Sequence, residues 1–245
     1  MENLVQDIRE KYLQALGTIA GAARRAGRNP ESVRLVVVTK TQPLEVVRAA
    51  IEAGVKILGE NYPEEGVMKI QSLREFSAVE WHMIGHVQSR KAQMLPGNFN
   101  LLHSLDSLKL AKRLDRFCGE AGTTLPVLLE FNVGGEESKS GWLAGDESRW
   151  PSLLEEVGAA LALPNLRVCG LMTMPPLGLT AEDSRPFFQR LRGLQEYLSA
   201  QFPRANFSEL SMGTSGDFET AVEEGATMVR IGTAIVGARH YKTEA

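Results

Sequence analysis

The sequence predicts an α/β protein folded as a single (β/α)8 TIM barrel with one extra helix at its N-terminal end. Three observations carry that expectation. The chain has 245 residues, too long for a marginal small core and close to the usual size of such a barrel. Eight short apolar runs alternate with segments of helical period, and that alternation means a parallel sheet whose crossover helices cover its face. No low-complexity linker divides the chain, so residues 1–245 read as one domain.

The opening segment puts Leu4, Ile8, Tyr12, Leu16, Ile19 and Ala23 on one helical face before the Gly27-Arg28-Asn29-Pro30 break. This is the extra helix. Strands are then expected near Leu35 to Thr39, Lys56 to Gly59, Trp81 to Gly85, Asn100 to His103, Leu125 to Val133, Arg167 to Thr173, Phe207 to Met212 and Thr227 to Gly232. Between them, helical spacing marks Leu44 to Ala53, Ser107 to Ala121, Ser152 to Leu161, Ala181 to Gln201 and Ser215 to Glu224. Gly134-Gly135 and Pro175-Pro176 fall at strand-to-helix turns.

Composition excludes several classes of function. With 43% hydrophobic and 23% charged residues and a net charge of -3, the chain has the makeup of an ordinary soluble globular protein. Its basic residues are scattered apart from Arg24-Arg25 and Arg90-Lys91, so no nucleic-acid footprint is expected. The N-terminus lacks a basic start followed by an apolar core, and no apolar stretch approaches membrane-spanning length. No membrane partner is therefore expected, and the expected location is the cytoplasm. Cys118 and Cys169 show no metal or redox spacing and read as reduced packing residues. No metal site is expected.

Side-chain alternation then selects the residues that look into the barrel. Val36, Val38 and Lys40 share one face of the first strand, and Lys40 ends it at the carboxyl edge, where barrel enzymes keep their chemistry. A lysine there also fits a strand end that simply reaches for water. Near the other end of the chain, Ser211 to Asp217 follows a strand and opens a helix. It offers two glycines, several N–H groups and the hydroxyls of Ser211, Thr214 and Ser215 to a phosphate. Thr214 with Asp217 three residues on equally fits a capping box. Gly232-Thr233, after the eighth strand, forms a second donor cluster of the kind that holds phosphate between the last two strands of barrels. Arg230 alternates with Val229 and Ile231 and is expected to point inward, matched either by a carboxylate such as Glu209 or Glu130 or by the nitrogen of a pyridine ring. In a closed barrel the first strand lies beside the last, so amine, phosphate loops and guanidinium share one mouth. That combination suggests pyridoxal phosphate held as a Schiff base.

The motifs Val37-Val38-Thr39-Lys40, Gly59-Glu60-Asn61, Trp81-His82-Met83-Ile84-Gly85, Gly170-Leu171-Met172-Thr173-Met174, Ser211-Met212-Gly213 through Ser215 and Asp217, and Val229-Arg230-Ile231-Gly232-Thr233 run over nearly the whole chain. Together they resemble the YggS/PROSC-type pyridoxal phosphate homeostasis proteins, single barrels similar to the N-terminal domain of alanine racemase. The resemblance implies that Lys40 forms the Schiff base and that Ser211, Ser215, Gly232 and Thr233 hold the phosphate. It also implies that Asn61 lies near the ring and that Arg230 faces the ring nitrogen. This chain departs from the family pattern at Thr214, at Tyr62-Pro63 and along His86-Val87-Gln88-Ser89-Arg90, and none of these departures removes a proposed cofactor contact. Lys139 fits a further family motif and equally reads as a loop lysine at the mouth.

Racemisation needs a base on each face of the cofactor, and the resembling racemases take their second base from a separate C-terminal domain. Among Tyr12, Tyr62, Tyr197 and Tyr241, only Tyr62 is expected near the mouth, while His82 and His86 bracket the end of the third strand. The leading expectation is a protein that buffers or delivers pyridoxal 5'-phosphate and influences vitamin B6 and amino-acid balance, with no efficient reaction of its own. It is expected to be a monomer that meets cofactor-requiring apoenzymes transiently. Two alternatives stand beside it. One is an amino-acid racemase. The other is a phosphosugar enzyme in which Lys40 bonds the substrate directly and Glu60 or Glu130 acts as base.

Overall fold

The computed structural model describes residues 2–136 and 139–238. Its strands are β1 (Arg34–Val38), β2 (Ile57–Glu60), β3 (Glu80–Met83), β4 (Leu101–Leu105), β5 (Leu125–Asn132), β6 (Trp142–Leu143), β7 (Leu166–Met172), β8 (Glu209–Thr214) and β9 (Met228–Ile231). All the ladders are parallel, and the order β4-β3-β2-β1-β9-β8-β7-β5 closes through a β4–β5 pairing. The eight expected strands are thus the eight staves of a closed barrel. β6 is a two-residue addition on the edge of β5, too short to show a period.

The helices are α1 (Glu2–Arg25), α2 (Leu44–Glu52), α3 (Pro63–Ser72), α4 (Leu108–Glu120), α5 (Leu154–Leu161), α6 (Ala181–Gln201), α7 (Phe218–Glu223) and α8 (Thr233–Val236). α1 buries Ile8, Tyr12, Ile19 and Ala23, four of the six residues expected on its inner face, and packs beside α2, α7 and α8. It therefore covers the seam where the first and last strands meet. After β3 the crossover is a 3-10 helix, Ser89–Met94, and a second 3-10 helix, Glu147–Leu153, precedes α5. The helix expected from Ser215 begins only at Phe218, because Ser215 and Gly216 form the turn that leaves β8.

Burial divides into two layers, as the alternation predicts. Leu35, Val37, Leu58, Trp81, Met83 and Leu102 join the large core between strands and helices, whereas Leu101, Leu128, Cys169, Met172 and Met228 form a small cluster inside the barrel. Cys118 and Cys169 are free and buried, and burial raises both thiols, Cys118 to about 11, which suits packing residues. Among the described residues no helix is long and apolar enough to cross a membrane, and no group of His, Cys, Asp and Glu is arranged to hold a metal ion.

Candidate functional site

β1 and β9 lie side by side, with Val36 opposite Arg230 and Val37 opposite Ile231. Residues just past their ends consequently meet at the carboxyl edge of the barrel. There a cavity of about 360 Å³ is lined by Lys40, Asn61, Thr214, Ser215, Arg230, Gly232 and Thr233, a size suited to a small ligand. Val38, Ile84 and Val236 supply its apolar wall, and Met174 and Leu177, from the loop after β7, overhang it. Six of the seven residues expected to bind cofactor thus share one cavity. Gln42, Met174 and Leu177 were not foreseen, since nothing in a loop's composition reports which mouth it leans over.

Ser211 is placed differently. It lies deeper in the barrel, fully buried and absent from the cavity lining, where its Oγ bonds the Arg230 Nη1 and, at 2.8 Å, the His103 Nδ1. The expectation placed its hydroxyl on the phosphate loop, and depth along the barrel axis is not encoded in a strand's period of two.

Lys40 leaves β1 on a rigid platform. The next residue, Thr41, has φ 61°, a left-handed conformation that a β-branched residue adopts only when its surroundings force it. Its N–H donates to Glu65 Oε1 at 2.7 Å. Behind the strand, Lys69 on α3 is fully buried and donates to Thr39 O at 2.7 Å, Glu60 Oε1 at 2.8 Å and Glu65 Oε1 at 2.6 Å. The Thr39 hydroxyl also donates to Glu60 Oε1, at 2.6 Å. Burial raises the Glu60 carboxyl, and Lys69 and Thr39 oppose that rise. Glu60 therefore faces α3 and is spent on structure. It does not line the cavity, which corrects its candidacy as a base.

The two glycine-bearing loops at the cavity have a steric basis. Gly213 has φ 92°, and a Cβ there would come within 2.5 Å of the Ala221 Cβ and 3.0 Å of the Phe218 Cα. Only glycine lets β8 bulge at this point and bring Thr214 and Ser215 to the cavity. Asp217 Oδ1 accepts from the Thr214 N–H at 2.6 Å and from its hydroxyl at 3.1 Å. The expected capping box is thus corrected: Asp217 is itself the N-cap of α7, and it braces the loop rather than being capped by it. Opposite, Gly232 lies against Val38, where a Cβ would sit 3.2 Å from both the Val38 Cβ and its carbonyl oxygen. The Ile235 and Val236 N–H groups of α8 already donate to Gly232 O, at 2.8 and 3.1 Å, so it is Gly232 and Thr233, at the start of the helix, that border the cavity.

Arg230 is buried and points inward, as expected, but its partners are neutral. Nη1 bonds Ser211, and Nη2 bonds Thr173 O at 3.0 Å and the Met174 Sδ at 2.9 Å. Burial lowers the guanidinium to about 10, with Asp217 and Glu130 opposing from a distance. The expectation of a directly paired Glu209 is overturned, because Arg34 holds that carboxylate at 2.7 Å. Glu130 is half-buried inside the barrel and pushed up to about 7, first by burial and then by Asp106. It does not line the cavity.

The other base candidates lie elsewhere too. Tyr62 is exposed, His86 pairs with Asp106 at 2.8 Å, and His82 is buried lower in the barrel against His103. Tyr12 and Tyr197 pack on outer helices, and Tyr241 lies outside the described residues. Lys139 donates to Pro175 O at 2.5 Å and Met174 O at 3.2 Å, fastening the overhanging loop.

A cofactor bearing an aldehyde, a phosphate and a pyridine ring fits this donor set. The amine, two loops of N–H and hydroxyl donors and a guanidinium converge on one cavity. Asn61 Oδ1, on its wall, is buried with no hydrogen-bond partner among the described residues, an acceptor that a bound donor would satisfy.

Comparison with known proteins agrees. The alanine racemase N-terminal domain family matches residues 17–240. The chain is 41% identical over 232 residues to the pyridoxal phosphate homeostasis protein of Aquifex aeolicus, covering 95% of this chain and 98% of that one. To the protein of that name in Escherichia coli K12 it is 38% identical over 240 residues, covering 97% and 99%. PipY of Synechococcus elongatus, solved with pyridoxal phosphate bound, superposes with a TM-score of 0.77 at 36% identity, covering 89% of this chain and all of that one. Alanine racemase of Clostridium difficile shares the fold at a TM-score of 0.67 and 16% identity, over 98% of this chain but 58% of the racemase. The chain belongs to the family of pyridoxal phosphate homeostasis proteins, built on the alanine racemase N-terminal domain fold.

Proposed function

We propose that this chain binds pyridoxal 5'-phosphate as a Schiff base on Lys40 and serves intracellular vitamin B6 and amino-acid homeostasis by holding and releasing the cofactor without efficient turnover. One observation carries the reading. Lys40, Arg230 and the Ser215 and Thr233 loops line a single cavity, in a chain whose relatives bear the name of that role. When bound, the cofactor supplies an electrophilic carbon to the lysine amine. Thr214, Ser215, Gly232 and Thr233 hold its phosphate, and Asn61 accepts a hydrogen bond beside the ring. Arg230 donates to the ring nitrogen rather than protonating it, which makes for a poorer electron sink than an aspartate would.

The absence of Tyr62, His82, His86, Glu60 and Glu130 from the cavity lining favours storage over proton transfer, since a general base must reach the proton it moves. The protein acts as a cytoplasmic monomer and hands the cofactor transiently to apoenzymes that require it.

The test is the visible spectrum of purified protein with added pyridoxal phosphate, before and after borohydride reduction, with the modified peptide found by mass spectrometry. The reading expects a yellow protein, a reduced adduct on Lys40, and no adduct in Lys40→Ala. A protein that stays colourless would overturn it. Rapid loss of optical rotation from an enantiopure amino acid would move the racemase reading to the front.

A further inference from the structure

A single row of hydrogen bonds runs along the barrel axis beneath the cavity. Glu80 Oε2 lies 3.3 Å from the His82 Nε2, His82 Nδ1 lies 2.9 Å from the His103 Nε2, and His103 Nδ1 lies 2.8 Å from the Ser211 Oγ, which in turn bonds Arg230 Nη1. Both imidazoles and Ser211 are fully enclosed, whereas the Glu80 side chain is half exposed at the opposite end of the barrel. The row connects four strands, β3, β4, β8 and β9, and ends on Arg230, which lines the cavity together with Lys40.

The chemistry of the two ends fixes every hydrogen in between. The Glu80 carboxyl is held below its ordinary range, chiefly by His82, so it is an acceptor only. Burial keeps both imidazoles neutral, each with one N–H. His82 must therefore carry its proton on Nε2 and accept at Nδ1. His103 must then donate from Nε2 and accept at Nδ1. The Ser211 hydroxyl, donating to that nitrogen, turns its lone pairs to Arg230, which can only donate.

We propose that Glu80, His82 and His103 orient the Ser211 hydroxyl so that its oxygen is offered to Arg230, making His103 a positioning residue for the guanidinium that faces the bound cofactor. The inference rests on the cofactor reading given above. The row is not a proton wire, because it terminates in a guanidinium that keeps its proton. It is a polarity lock whose direction is set at the far face of the barrel and read at the site.

The first test uses the cofactor-free protein. Long-range proton–nitrogen correlation spectra between pH 6 and 8 should show His82 and His103 as neutral Nε2–H tautomers throughout. An Nδ1–H tautomer at either, or titration in that range, overturns the proposal. The second test uses His103→Leu with pyridoxal phosphate. It should keep the fold and the borohydride-trapped adduct on Lys40, while the visible band shifts and affinity falls roughly tenfold, about the loss of one hydrogen bond to a charged group. His103→Gln, whose amide can both accept and donate, should restore band and affinity. A folded His103→Leu with an unchanged band overturns the proposal, and so does one that only melts earlier. If His103→Leu does not fold, Ser211→Ala removes a single oxygen and should shift the band in the same way. If the wild-type protein takes up no pyridoxal phosphate, the cofactor reading fails, while the tautomers seen in the cofactor-free protein still decide the lock.

Discussion

Two buried polar networks flank the wall of this barrel, and they solve the same problem with opposite chemistry. Outside the strands, Lys69, Glu60 and Glu65 form an ion cluster that grips the backbone of Thr39 and Thr41 on either side of Lys40. Inside, His82, His103 and Ser211 form a neutral row that grips the side chain of Arg230. Charges buried together hold through attraction and fail badly when one is removed. Neutral groups in a row hold through direction, and they fail when a proton is added. The contrast matches what each network supports. The cluster bears a backbone that must not move, and the row bears a donor that must point one way.

The sharpest way to break the contrast is on the outer side. Lys69→Met leaves Glu60 buried without its cation and should cost about 3–5 kcal/mol in denaturant unfolding, while the double variant Lys69→Met/Glu60→Leu should recover much of that. If the single variant loses less than about 1 kcal/mol, the cluster does not carry the wall as described.

The inner side should respond to acid. Burial depresses both imidazoles below the ordinary value of 6.5. The stability they contribute is therefore complete above about pH 6.5 and is lost as pH falls toward their folded-state values. The stability curve should drop by roughly 2 kcal/mol between pH 6.5 and 5, and His103→Leu should flatten that acid limb.

Glu130 provides the reverse sign inside the same barrel. Its carboxyl is raised to about 7, so its contribution is full below the ordinary carboxylate range and lost as pH rises through 7. Glu130→Gln should therefore stabilise the protein at pH 8, by about 1 kcal/mol after allowing for partial exposure, with the gap closing near pH 5. The exposed pair of Lys11 and Asp7 on α1, at 2.6 Å, is the baseline. Asp7→Asn should change stability by no more than about 0.5 kcal/mol, and less in high salt.

The barrel was legible because its strands alternate cleanly and its turns carry glycine and proline. α3 was not, and the cause lies in the outer network. Lys69 is buried and Met68 is half exposed on that helix, inverting the polarity that periodicity reads. Lys40, Ser215, Gly232 and Thr233 were legible because they stand just past strand ends, and Arg230 because it alternates with Val229 and Ile231, whereas Asn61 came only from the family motif. What escaped are contacts made across long separations. His103 meets Ser211 across 108 residues, and Lys69 meets Thr39 across 30. His82 was noticed as a strand-end histidine, but only the closed barrel reveals that it touches another imidazole. Family motifs could not separate Ser211 from Ser215, although Ser211 is enclosed within β8 beneath Arg230 and Ser215 stands exposed in the turn that follows the strand.

The pairing of β1 with β9 also imposes an order in time. Lys40 emerges early from the ribosome, but the strand beside it and the Gly237 and Ala238 carbonyls that Gln42 clasps, at 3.3 and 2.9 Å, arrive about 195 residues later. A nascent or prematurely terminated chain thus presents Lys40 without Arg230 or the Gly232-Thr233 turn beside it, and an assembled cavity becomes a certificate that the protein has been made through β9.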